Sequence, residues 1–278
     1  MHFRVGIDEF GTATQRAEGW TLVSLADAPA AAFESEAAGL FGRGLTRFHG
    51  KEFTRRHADR YRAFLVLLRE ACRAGASGFI ACSLNDETWQ EEFTTFAERV
   101  MEKSFLKAGL PLADPELAML RRVVPPLFTY LRLAARAGDG HTAAVTLDAS
   151  KLTGPFNTAA VPFQGCEFTL PLLAGMLYRA YRRQCFPSAP DVPGDEIRTC
   201  PDEQSILVQA ADVVGNFSTA YLFHRLGKRS GANDLKAGVF HDVFGDCGTA
   251  AADPEPCLVA AGDDLMLVRP GAYTLTVA

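Results

Sequence analysis

Two different periods of apolar and polar positions run along this chain, and the changes between them mark out its elements. His2–Ile7 passes through β-formers and stops at Asp8-Glu9-Phe10-Gly11, the pattern of a strand entering a turn. Trp20–Leu25 is a second short apolar run, joined to the first through Gly11-Thr12-Ala13-Thr14 as in a hairpin. Residues 30–41 are Ala-rich and read as helix, and Leu45–His49 reads as a third extended segment. Thr54 is placed to cap a helix in which Tyr61, Phe64, Leu65, Leu68 and Cys72 recur at helical spacing until Gly75 and Gly78. Gly78–Ser83 is the next strand. Asp86 opens a helix with Trp89, Phe93, Phe96 and Val100 on one face, ending near Gly109-Leu110-Pro111. Asp114-Pro115 starts another, cap residue before proline. Pro125-Pro126 is expected to kink or break it, because each proline lacks a donor and crowds the preceding turn.

Thr142–Leu147 is a continuous strand ending in Asp148. Leu170–Gln184 reads as helix with Leu173, Met176, Leu177 and Ala180 inward, 186–195 as loop, and Glu196–Thr199 as a short strand. Pro201-Asp202 opens a long helix to about Leu226. The tail holds two strand-like runs, Asp264–Val268 and Tyr273–Val277, about a Pro270-Gly271 turn. Strands, then a helical block, then a strand and a packed helix describe an α/β or α+β layered domain.

Composition narrows the class. At 278 residues, 48% hydrophobic and 22% charged, the chain is globular and expected to form a single domain. A net charge of −5 argues against a uniformly basic coat for nucleic acid and leaves room for a local basic groove. The seven cysteines (72, 82, 166, 185, 200, 247 and 257) contain no C-x-x-C pair, so they suit neither a zinc ribbon nor a disulfide framework. They point to a reducing cytosol. The first residues enter a strand without a signal-peptide pattern, and no run approaches the roughly 18 apolar residues of a membrane span. A soluble, cytoplasmic protein is expected.

The candidate chemistry is acidic. Asp8 and Asp148 each follow an apolar strand, where a rigid sheet aims a side chain and leaves it accessible. Either one alone also reads as a turn residue. The segment from Asp202, DEQSILVQAADVVGNFSTAYLF, carries Ser205, Gln209, Asp212 and Asn216 on one narrow polar line between apolar flanks. A carboxylate held there needs a cation or a full set of hydrogen bonds. Asp8, Asp148 and Asp212 together would be an oxygen-only set with no Cys or His partner, which selects Mg²⁺ or Mn²⁺. Such a site serves hydrolysis of a phosphodiester.

Ile7-Asp8-Glu9-Phe10-Gly11 resembles the I-D-E-S-G opening of the bacterial domain-of-unknown-function family 3800. Ser205, then Gln209-Ala210-Ala211-Asp212-Val213-Val214-Gly215, resembles that family's closing helix, and Phe48-His49-Gly50-Lys51-Glu52-Phe53 looks like its central segment. The resemblance spans roughly residues 3–226 and rests on about two dozen motif positions. It implies a ribonuclease-H-like mixed sheet flanked by helices, with a helical insertion over 84–140 and a C-terminal β extension over 230–278. It also implies a divalent-metal-dependent nuclease with Asp8, Asp148 and Asp212 as ligands and Glu9 in support. Asp202 would precede the motif helix, as its N-cap or near the metal. Phe10 stands where the family commonly has Ser, which removes a hydroxyl beside the site.

Residues 41–62 gather Arg43, Arg47, Lys51, Arg55, Arg56, Arg60 and Arg62 against Glu52 and Asp59, either a nucleic-acid grip or a solvated helix face. Tyr181-Arg182-Arg183 and the basic run from His224 to Arg229 are smaller clusters of that kind. His49 near Glu52 is a candidate proton carrier or substrate contact, and Lys51, Lys151, Ser205 and Gln209 are candidate substrate contacts. The chain contains no phosphate-binding P-loop, dinucleotide G-x-G-x-x-G or G-x-S-x-G elbow. Two functions follow from these residues: a metal-dependent nuclease on RNA or DNA, or an inactive ribonuclease-H-like module that binds nucleic acid or a protein.

Overall fold

Strands β1 (His2–Phe10) and β4 (Thr142–Asp148) lie side by side and parallel, pairing Ile7 with Leu147. The computed structural model describes residues 2–10, 19–42, 44–74, 78–84, 114–136, 142–149, 154–163, 165–187, 196–225, 227, 230–244, 257–261, 264–268 and 275–277. On the other side of β1, β2 (Gly19–Ala26) runs antiparallel and is followed by β3 (Phe79–Leu84). A short strand, β7 (Glu196–Cys200), adds parallel to β4. The order β3-β2-β1-β4-β7 is a five-strand mixed sheet. Beyond β3 it continues through β8 (Cys257–Ala261), β9 (Asp264–Val268) and β10 (Leu275–Val277), all antiparallel. A separate hairpin pairs β5 (Ala160–Phe163) with β6 (Cys166–Thr169).

Every residue of β2 is buried, so both faces of the sheet are covered. One face carries α5 (Ile206–Arg225), flanked by α1 (Asp27–Ala38), α2 (Ala58–Ala74) and α6 (Gly231–Phe244). The other carries α3 (Asp114–Arg136), whose Tyr130 stacks on Phe79, and α4 (Leu170–Cys185), whose Tyr181 stacks on Phe128 at 4.2 Å. Two glycines set the height of α5 above the sheet. A Cβ on Gly6 would lie 2.4 Å from the Leu207 backbone, and one on Gly215 would lie 2.4 Å from Thr21 Oγ1. At Gly6 helix and strand touch backbone to backbone, and at Gly215 the helix backbone rests on the Thr21 and Phe10 side chains.

Several elements differ from their sequence patterns for identifiable reasons. Leu45–His49 forms no strand beyond a bridge at Gly42–Leu45, because its amides serve other partners described below. Thr54 stands ahead of a 3₁₀ turn, Arg55–His57, without a side-chain cap, and α2 starts at Ala58. Pro125 and Pro126 do not break α3. Their missing donors are offset by packing, since Val123, Val124, Leu127, Phe128, Tyr130 and Leu131 are all buried, and Thr129 Oγ1 donates to the Pro125 carbonyl. Asp202 does not begin or cap the long helix: Asp202–Gln204 is a separate 3₁₀ turn. Ser205 caps α5 instead, its hydroxyl accepting from the Val208 N–H at 3.3 Å. Ser205→Ala should lower stability by about 1 kcal/mol, read as a fall in the thermal midpoint; an unchanged midpoint would deny the cap that weight.

The expected C-terminal β extension is in part helical, since residues 231–244 form α6 on α2 and α5. The expected helix from Asp86, most of the 84–140 insertion, the turns at Gly11–Thr14 and Pro270-Gly271, and Lys151 lie outside the described residues. Within that span α3 packs into the same core as the sheet.

Candidate functional site

Asp8, two residues before the end of β1, and Asp148, the last residue of β4, lie on the sheet face that α5 covers. Alternation along β1 puts Gly6, Asp8 and Phe10 on that face, and the β1–β4 register puts Asp148 with Asp8. Asp212 descends from α5 onto the same spot. Asp202 follows directly after β7, beside the end of β4. Four carboxylates thus gather at the carboxyl ends of three parallel strands, the usual position of sites in open α/β sheets.

Their electrostatics show mutual repulsion. Burial, then the charges of Asp212 and Asp148, hold the Asp8 carboxyl well above its ordinary value. Asp148 is pushed up to about 6 by burial, with Asp202, Asp212 and Glu9 adding to it. Asp202 is raised as well, again mainly by burial. Groups whose folded values are raised contribute stability that is present below the unfolded value, 3.8 for Asp, and lost as pH rises through the folded one. The protein therefore loses stability from Asp148 between about pH 4 and pH 6.

Asp212 is 6% exposed and is met from the opposite side by the segment 47–53. The Gly50 N–H donates to Asp212 Oδ2, and His49 Nδ1 lies 2.7 Å from the same oxygen. The ring nitrogen is close enough for an ion pair but is not aimed along a hydrogen bond, so the contact is electrostatic. Asp212 is the largest influence raising His49 above its ordinary value. One turn earlier, Gln209 is 2% exposed; it accepts from the Phe48 N–H at 2.9 Å and donates to the Asp202 carbonyl at 2.9 Å. Arg47 closes the arrangement, reaching Asp202 at 3.1 Å and also Glu52 and Glu203. These partners take the amides of 48 and 50, which explains why no strand forms there.

The sequence-derived set divides accordingly. Asp8, Asp148, Asp212, Asp202, His49, Glu52 and Gln209 come together, while Ser205 is a cap and Lys51 is exposed. Glu9 points to the opposite face, where Arg122 lies 3.5 Å away. Of the basic run, Arg47 is bound to acids, Arg60 donates to the Gly42 carbonyl, and Arg62 pairs with Asp59 and Asp242. Arg55 and Arg56 are exposed, and Arg43 lies outside the described residues. Tyr181 and Arg182 pack inward, and His224 pairs with Asp234. The basic run over 41–62 contains Arg47 and the Phe48–Phe53 motif contains Gly50, but neither pattern points to the acids that these two residues meet.

The donor set suits a hard divalent cation in chemistry and charge. As the side chains are placed, no three His, Cys, Asp or Glu groups among the described residues share the reach of one ion. Comparison of the chain with protein-family models, curated proteins and solved structures finds no match. Among the described residues no helix is long and apolar enough to cross a membrane.

Proposed function

We propose that the chain is a Mg²⁺- or Mn²⁺-dependent phosphodiesterase acting on nucleic acid, with Asp8, Asp148 and Asp212 as the cation's ligands. The observation that carries this reading is the mutual repulsion of these carboxylates, Asp212 buried and Asp8 and Asp148 half-buried, on one face at the strand ends. A fold gains nothing structural from such a cluster, whereas a cation would relieve it. The strand order β3-β2-β1-β4-β7, with β1–β3 antiparallel and β1, β4 and β7 parallel, supports the ribonuclease-H-like reading and with it the resemblance to family 3800.

When bound, the cation would supply a polarised water or phosphoryl oxygen. The chain's own groups divide the remaining work. Asp8 and Asp148 are fixed by the sheet, and Asp212 by a helix held against Gly6 and Gly215. Gly50 and His49 orient Asp212, and Arg47 holds Asp202 beside the group. Glu9, on the other face, supports the reading only through its charge.

A second reading has one observation in its favour. With His49 already beside Asp212, a protonated ring would partly neutralise the centre without metal, as suits a module that binds nucleic acid or protein without cleaving it. Purified protein incubated with RNA, single-stranded DNA and duplex in Mn²⁺ separates the two. Cleavage of at least one substrate is expected. So is an upward thermal shift at pH 8, about 2.7 kcal/mol at a hundredfold excess over Kd, and a smaller one at pH 5, where Asp148 holds its proton. No cleavage and no shift with either ion would leave the binding module standing.

A further inference from the structure

One cation beside the acidic centre has no role in the scheme so far. Lys236, on α6, is half-buried and gives one of its three donors to Asn216 Oδ1 at 2.6 Å. Asn216 sits one turn beyond Asp212 on the same line of α5. It is held in place by Gly50, since a Cβ there would lie 2.4 Å from Asn216 Cβ. The Asp212 charge acts on Lys236, yet no carboxylate among the described residues forms an ion pair with it. A partly desolvated ammonium whose only bond among the described residues is to a neutral amide is a costly tether between two helices. It is well suited to accept an anion.

We infer that Lys236 seats a non-bridging phosphate oxygen of a nucleic-acid strand beside the carboxylate centre. The inference rests on the nuclease reading above. A phosphodiester approaching Asp8, Asp148 and Asp212 meets like charge, so a fixed positive group next to them is needed to hold the strand even when a cation is present. Asn216 orients the ammonium without neutralising it, which leaves two donors for the phosphate. Lys236 is thus a substrate-positioning residue delivered by the helix that follows the motif region.

Binding of labelled single-stranded RNA and DNA oligonucleotides, measured in Ca²⁺ over a series of salt concentrations, tests this on the full chain. Lys236→Met is expected to weaken binding about ten- to a hundredfold, the range for losing a hydrogen bond to a charged group. It should also reduce the slope of log affinity against log salt by about 0.7, one phosphate contact on a single strand. Lys236→Arg should recover most of both. A Lys236→Met protein with a lowered thermal midpoint but an unchanged salt slope would overturn the inference and mark the lysine as a tether. If the wild-type chain shifts with Mn²⁺ but binds neither oligonucleotide, the metal centre stands, while the nucleic-acid substrate and the role of Lys236 both fall.

Discussion

Asn in place of Asp148 is expected to make the protein without added metal more stable while abolishing the proposed hydrolysis. Asp148 is pushed up to about 6 by burial and by its acidic neighbours, so at pH 8 the folded state carries a charge it holds unfavourably. Removing that charge should raise stability by about 1 kcal/mol after allowance for solvent screening, or roughly 2–4 °C in the thermal midpoint. The gain should shrink as pH falls through 6 and vanish below about pH 3, where Asp148 is protonated in both states. Hydrolysis should fall by roughly a thousandfold, the several kcal/mol that a correctly held Lewis acid supplies. The Mn²⁺-induced thermal shift should shrink with it. An Asn variant that is less stable at pH 8 yet still cleaves would mean that Asp148 is a structural hydrogen-bonding group.

The opposite pairing of effects is expected at Gly6, where Ala should cost both stability and activity. A Cβ there would meet Leu207 C and O at 2.4 Å, and both atoms belong to helix backbone that no rotamer change can move. The helix must lift from β1, and α5 is the element that carries Asp212. Overpacking of this kind costs about 3 kcal/mol at the upper end of its usual range, or some 6–12 °C in the midpoint for a domain of this size. Because the helix sets the spacing of Asp212 from Asp8, the surviving folded protein should also bind Mn²⁺ more weakly. A Gly6→Ala protein with a native midpoint would show that the helix can shift freely, and Asp212 would then not be held rigidly.

How far these residues were legible in the sequence depends on the range of the interaction that places them. β1, β2, β3, β4 and β7 were readable because each is a run of β-formers ended by polar or turn residues, a purely local signal. Asp8 and Asp148 followed from the ends of those runs. Asp212 was readable as a lone acid on a narrow polar line, but what faces it was not. Arg47 meets Asp202 across 155 positions, and Gly50 meets Asp212 across 162, so no window of sequence contains both partners. Long-range bonds also explain the segment 45–49, whose Phe48 and His49 amides donate to Gln209 and to the Tyr61 hydroxyl and not to a neighbouring strand.

The other departures have different causes. Residues 231–244 give a weak helical stripe, because Gly238 interrupts buried positions at Ala237, Val239, Phe240 and Val243. β5 and β6 are only four residues each, and Pro162 falls within β5. Pro125 and Pro126 illustrate the converse, a strong local breaker overruled by a buried face.

The measurement that bears most directly on the proposed centre is titration of the metal-free protein with Mn²⁺ at pH 8 by calorimetry, repeated on Asp8→Asn. Saturable binding to the wild-type chain, strongly weakened in Asp8→Asn and weakened for the wild type at pH 5, is the expected result. No saturable binding to the wild type, or binding that Asp8→Asn leaves unchanged, would contradict a cation held by Asp8, Asp148 and Asp212.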